Sequence, residues 1–122
     1  MHCGDTLLIP APGSCDEIPH LWIILTEADA LCAIVCLSTL RHSKDQTVVL
    51  RAGEHPVVKH ETAVLYMYAE TVDADHLQQQ IAERKALPLE PCRPDVLALI
   101  RDGVFASPFT PRKVESFCRQ RR

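Results

Sequence analysis

The chain has no asparagine and only 4 glycines among its 122 residues. Each shortage excludes a chemistry. A loop that wraps phosphates in backbone N–H groups needs closely spaced glycines, and none is present. A Cys-His pair of the thiol-protease type lacks the Asn that orients its imidazole. No G-x-S-x-G elbow and no H-E-x-x-H pair occurs. The 6 cysteines contain no C-x-x-C, so the strongest zinc pattern is missing. Aromatic residues make up only 5%, which leaves the core to Leu, Val, Ile and Ala. No apolar run nears the ~18 residues of a membrane span. The longest, "ALCAIVCL", has the length of a buried strand. The N-terminal "MHCGDTLLIP" has no basic start and no small-residue cleavage site, unlike a secretory leader. The expectation is a cytoplasmic protein with reduced thiols, no membrane contact, no metal and no cofactor.

What is present suits one domain. Apolar residues are 47% and charged residues 24%. The net charge of −3 is unevenly spread. Residues 1–110 hold 8 Lys and Arg against 15 Asp and Glu, whereas residues 111–122 hold 5 against 1. A basic tail on an acidic body fits contact with nucleic acid or an acidic partner, and equally a solvated last helical turn.

The first ~70 residues are β-rich by pattern. Strands are expected at "DTLLIP" (5–10), "HLWIILT" (20–26), "LCAIVCLST" (31–39), "TVVL" (47–50) and "ETAVLYMYAETVD" (61–73), with a short extended piece at "VVKHE". The third is apolar on both faces and so central. After Asp73 the period becomes helical, with Leu77 and Ile81 in register and Asp73 or Asp75 as cap. "PLEPCRP" reads as an extended connector. "DVLALIRDG" reads as a short helix closed by Gly103. "TPRKVESFCRQRR" reads as a final helix capped by Thr110, with Pro111 in its first turn and a stripe of Val114, Phe117 and Cys118. The pattern implies a single α+β domain over 1–122: strands and first helix over 1–87, and a helical C-terminal extension over 88–122. The two last helices also fit a DNA-binding pair, except that their connection exceeds a helix-turn-helix turn.

An order of motifs over roughly residues 4–82 resembles the MazF/PemK-like toxins, endoribonucleases of toxin–antitoxin systems. "GDTLLIP" is similar to that family's opening, "AIVCLST" to its central strand ending in a Thr/Ser pair, and Thr71-Val72-Asp73 to its late Thr-Ile-Asp signature. The resemblance implies a small SH3-like β-barrel with C-terminal helices and a homodimer. It implies metal-independent cleavage of single-stranded RNA and an antitoxin-like protein partner. Such cleavage activates a ribose 2′-hydroxyl, stabilises the pentavalent phosphate and protonates the leaving oxygen.

On these positions the expected catalytic residues are His20, Ser38, Thr39 and Arg41, and the expected RNA-binding residues are His42, Lys44, Tyr66 and Tyr68. His20 stands where the family carries a basic element, and imidazole can carry a proton. It is also an ordinary start to a strand. Ser38 and Thr39 are neighbours on a strand, so only one faces a given groove. "RHSK" supplies cations in a turn. Strict alternation puts Tyr66 and Tyr68 together on one exposed face of the last long strand, where they stack on bases or simply suit a sheet. The opposite face carries Leu65 and Met67 where some members have an arginine and an acid. That loss leaves a second reading open: a catalytically inactive barrel that binds RNA or a protein partner, or dimerises.

Overall fold

A computed structural model describes residues 2–10, 19–40 and 43–121. Arg41 and His42, and with them two of the expected site residues, lie outside the described residues, as does Cys15. The fold is α+β: six antiparallel strands curl into a half-barrel and three helices pack on it. The elements are β1 (Thr6–Pro10), β2 (Pro19–Ala28), β3 (Leu31–Thr39), β4 (Val49–Leu50), β5 (Thr62–Asp73), α1 (Ala74–Ala82), β6 (Leu87–Leu89), α2 (Pro94–Ala106) and α3 (Arg112–Arg119). Strand order is β4-β5-β3-β2-β1-β6.

The sheet is covered on both faces, which is why its central strands are apolar throughout. One face, with Ile23, Leu25, Val35, Leu37 and Val64, packs against Val96, Ile100 and Val104 of α2 and Val114 and Phe117 of α3. The other face carries Ile24, Cys32 and Ile34 under Leu77 of α1. Each fully buried Leu, Ile or Val stabilises the fold by about 1.5–3 kcal/mol relative to exposure. Helix α2 begins at Pro94, whose missing N–H costs nothing in a first turn. Its buried positions Val96, Ile100, Gly103 and Val104 form one helical stripe.

Four sequence expectations change. The connector "PLEPCRP" contains a strand: Leu87–Leu89 pairs antiparallel with Leu8–Thr6 of β1. Proline is tolerated there because β6 is an edge. The division at 87/88 therefore falls inside an element, and α2 and α3 share the main core with the sheet. Gly103 does not end a helix, because α2 continues to Ala106. Thr110 is not the cap of α3; Pro111 holds that position.

The fourth change concerns β5. Ile34 pairs with Glu70 and Cys36 with Leu65, so four residues of β5, Tyr66 to Ala69, stand opposite Val35 alone. This wide bulge breaks the alternation of side chains. Val64 and Tyr66 belong to the core, but Tyr68 points out and is 57% exposed. Tyr66 is fully buried, and its hydroxyl donates to the carbonyl of Ile100 at 2.7 Å. The expectation that Tyr66 binds RNA from an exposed face is thereby corrected.

The curl brings the two ends of the sheet together. His55, in the turn after β4, is buried beside Glu90, the residue after β6. Val57 N–H donates to His55 Nδ1 at 3.3 Å, so in the neutral ring the proton sits on Nε2. Nε2 donates to the carbonyl of Glu90 at 2.6 Å, and Thr6 Oγ1 donates to the same oxygen at 2.8 Å. A side-chain clasp thus replaces the backbone pairing that would close a full barrel.

Among the described residues no helix is long and apolar enough to cross a membrane. Cys3, Cys32, Cys36, Cys92 and Cys118 are free thiols. In the basic tail, Arg119 pairs with Glu115 and lies 5.7 Å from the Phe105 ring centroid. Arg121 lies 4.0 Å over Phe117 and donates to its carbonyl. Both cations are folded back onto the protein.

Candidate functional site

The strand ends that meet beside the clasp form a cleft of about 300 Å³. The register pairing Trp22 with Cys36 sets His20, two residues earlier, toward Ser38, two residues later. Thr39 is paired with Thr62 across β3 and β5. Those four side chains and His60, from the segment leading into β5, line the cleft over a floor that includes Leu21 and Val58. Three of the expected catalytic residues, His20, Ser38 and Thr39, are thus brought together from two strands; Ser38 and Thr39 both line this cleft, where strand alternation led to the expectation that only one would, because they stand at the very end of β3. Arg41 lies outside the described residues.

The polar groups here are available for a ligand. His20, Ser38 and Thr39 are half-buried, and no side-chain hydrogen bond occupies them among the described residues. His60 is exposed, and its Nδ1 lies 3.2 Å from the carbonyl of Glu61. A carbonyl only accepts, so in the neutral ring Nδ1 carries the proton and Nε2 keeps a free lone pair. Thr62 Oγ1 donates to the carbonyl of His60 at 2.9 Å, which fixes the backbone that carries the ring.

A second, wider cleft of about 660 Å³ adjoins the first and shares Thr39 and His60 with it. Its further walls are Leu40, Ser43, Gln46 and Glu61. The loop that bears Gln46 is pinned by the buried carboxylate of Asp45. Oδ1 accepts from Thr47 N–H at 3.1 Å and from Thr47 Oγ1 at 2.7 Å; Oδ2 accepts from Ser107 Oγ at 2.7 Å. Ser43 Oγ donates to the Asp45 carbonyl at 2.8 Å and accepts from Asp45 N–H at 3.1 Å. Lys44 is exposed on this loop and lines neither cleft, and Tyr68 lines neither.

His60 was not among the residues singled out for RNA chemistry. Its place just before a strand carries no signal for such chemistry, because strand propensity says nothing about which loop residues the curl gathers. Gln46 and Glu61 were likewise invisible as cleft residues. Among the described residues no group of three or more His, Cys, Asp or Glu is gathered as metal ligands would be.

Comparison of the chain with protein-family models, with curated proteins and with solved structures finds no match.

Proposed function

We propose that the protein is a ribonuclease of the toxin type, acting on single-stranded RNA in the cleft between His20 and His60. The observation that carries this reading is that His20, the adjacent Ser38 and Thr39, and His60, three places at least 18 positions apart in sequence, line one pocket. The antiparallel, curled sheet with helices is compatible with the SH3-like barrel of the MazF/PemK-like toxins. The reaction needs a base, an acid and hydrogen-bond donors to the phosphate. His60 Nε2 takes the proton from a ribose 2′-hydroxyl as O2′ bonds to phosphorus. The P–O5′ bond breaks, and His20 in its imidazolium form gives a proton to O5′. The products are a 2′,3′-cyclic phosphate and a 5′-hydroxyl end, and the next proton exchange with water resets both rings. The hydroxyls of Ser38 and Thr39 hold the non-bridging oxygens. Arg41, two residues past Thr39 in sequence, supplies a cation.

The test is incubation of the purified protein with single-stranded RNA in a chelator, with the termini identified by end-labelling. Cleavage is expected, and His20→Ala and His60→Ala are each expected to lower its rate about 100-fold or more. No cleavage, or cleavage indifferent to both substitutions, sinks the reading. A second reading rests on Leu65 and Met67, which put no proton-moving group where the family places charge. It makes the same cleft a binding site without turnover, and tight RNA binding without cleavage selects it.

A further inference from the structure

The strand β5 is covered unequally on its two sides. Toward β3 its pairing runs from Thr62 to Asp73, interrupted only by the bulge. Toward β4 the pairing stops early. Thr62 meets Leu50, Ala63 meets Val49, and Val64 N–H donates to the carbonyl of Val48. Past Val64, among the described residues, no backbone group pairs with the outer edge of β5. Such an edge is a row of N–H and C=O groups ready to take another strand. Two features mark it further. Met67 and Tyr68, adjacent in the bulge, are 49% and 57% exposed. Glu70 and Asp73 are exposed, and no ion pair or hydrogen bond among the described residues holds either carboxylate. Asp73 precedes α1, but its side chain does not cap that helix. We infer that the outer edge of β5 binds a cationic, extended segment of another protein by strand addition. The inference rests on the sheet edge and is independent of the ribonuclease reading.

Charge selects the occupant. Charged residues on an edge can serve only to deter pairing. Deterrence does not account for Met67 and Tyr68, which offer apolar surface to an incoming strand. Residues 67–73 hold two acids and no Lys, Arg or His, so a second copy would bring two more acids and no cation. Like charges directly opposite each other destabilise a strand pair, and opposite charges stabilise it. The same carboxylates repel a nucleic-acid backbone. Alternation then sets the spacing of the partner's cations. Val72 packs on the cluster under Leu77 of α1. Glu70, two residues earlier, shares that face, and Asp73 lies on the other. Every pairing in this sheet is antiparallel. A partner that continues the pattern meets Asp73 first, Glu70 three residues later, and then Tyr68 and Met67. It therefore carries a Lys or Arg, another three positions on, and an apolar residue shortly after.

The experiment uses the full chain and a fluorescein-labelled, Thr-rich peptide with two lysines three positions apart, followed by a tyrosine. A control peptide has glutamate in place of both lysines. Fluorescence anisotropy is expected to show saturable binding of the lysine peptide, about tenfold or more tighter than that of the control. Glu70→Lys combined with Asp73→Lys is expected to reverse the preference, and Glu70→Lys alone to narrow it. Hydrogen exchange locates the peptide: it should slow outward-facing amides between Met67 and Asp73 and leave the cleft between His20 and His60 unchanged. No binding of the lysine peptide, a preference untouched by the double substitution, or protection confined to other segments overturns the inference. So does protection of these amides that appears without peptide and grows with protein concentration, because a second copy then occupies the edge.

Discussion

The ring of Tyr66 fills the space that a side chain at Gly103 would need: a Cβ built there would lie 2.6 Å from Tyr66 Cζ and 2.7 Å from Val48 Cγ2, with the phenol oxygen nearer still. This contact joins the bulged strand β5 to the middle of α2. Gly103→Ala is therefore expected to destabilise the fold by about 2 kcal/mol or more, through overpacking. An exposed helix position would gain roughly 1 kcal/mol from the same change. Urea unfolding decides it, and a variant as stable as the wild type would show that α2 does not dock this closely.

The two tyrosines of β5 are expected to behave as opposites. Tyr66→Phe removes the donor to the Ile100 carbonyl and should cost about 1 kcal/mol. Tyr68→Ala, at an exposed position, should fall within ~0.5 kcal/mol of the wild type. Equal losses at the two sites would mean that the bulge does not separate them.

That contrast shows what the sequence made legible. The β-rich first part, the long third strand and the amphipathic final helices follow from local apolar period. The bulge at Tyr66–Ala69 does not, because it depends on how β5 is matched to β3, a non-local choice that no period within β5 encodes. β6 was hidden for a related reason: prolines suppress the strand signal, but an edge strand needs only one row of donors, and Pro88 leaves β6 paired with β1. The site was half legible. His20, Ser38 and Thr39 mark strand ends, which sequence can locate. His60, Gln46 and Glu61 lie on connecting segments whose side chains meet only because the sheet curls.

The clasp at His55 offers a test of that curl. His55→Ala leaves the N–H of Val57 without its acceptor and the Glu90 carbonyl with Thr6 alone. A loss of about 2 kcal/mol is expected. The amides of Leu87 and Leu89 should also exchange faster with solvent, because the edge they form is released first. Unchanged exchange in β6 would show that the His55 contact does not hold the two ends of the sheet together.

The buried thiols make alkaline stability a further readout. Burial pushes Cys36 from 9.0 up to about 12, with Glu70 adding to the rise against its own backbone N–H. Burial likewise pushes Cys92 from 9.0 up to about 11, with Arg93 opposing and Asp95 assisting. Below the ordinary thiol value both residues are protonated in the folded and the unfolded chain, and their contribution is fully present. As pH rises above it, the unfolded chain ionises first and binds fewer protons, so stability falls until the folded thiols ionise too. Thermal unfolding followed by circular dichroism should show a melting temperature that drops between about pH 9 and pH 11, and Cys36→Ala should flatten the drop. Near pH 8, iodoacetamide should leave Cys36 and Cys92 unlabelled in the native protein and label them in urea, because the thiolate is the reactive form. Native labelling at the rate of a free thiol, or a melting temperature flat across the window, would show that these two cysteines are not held in the core.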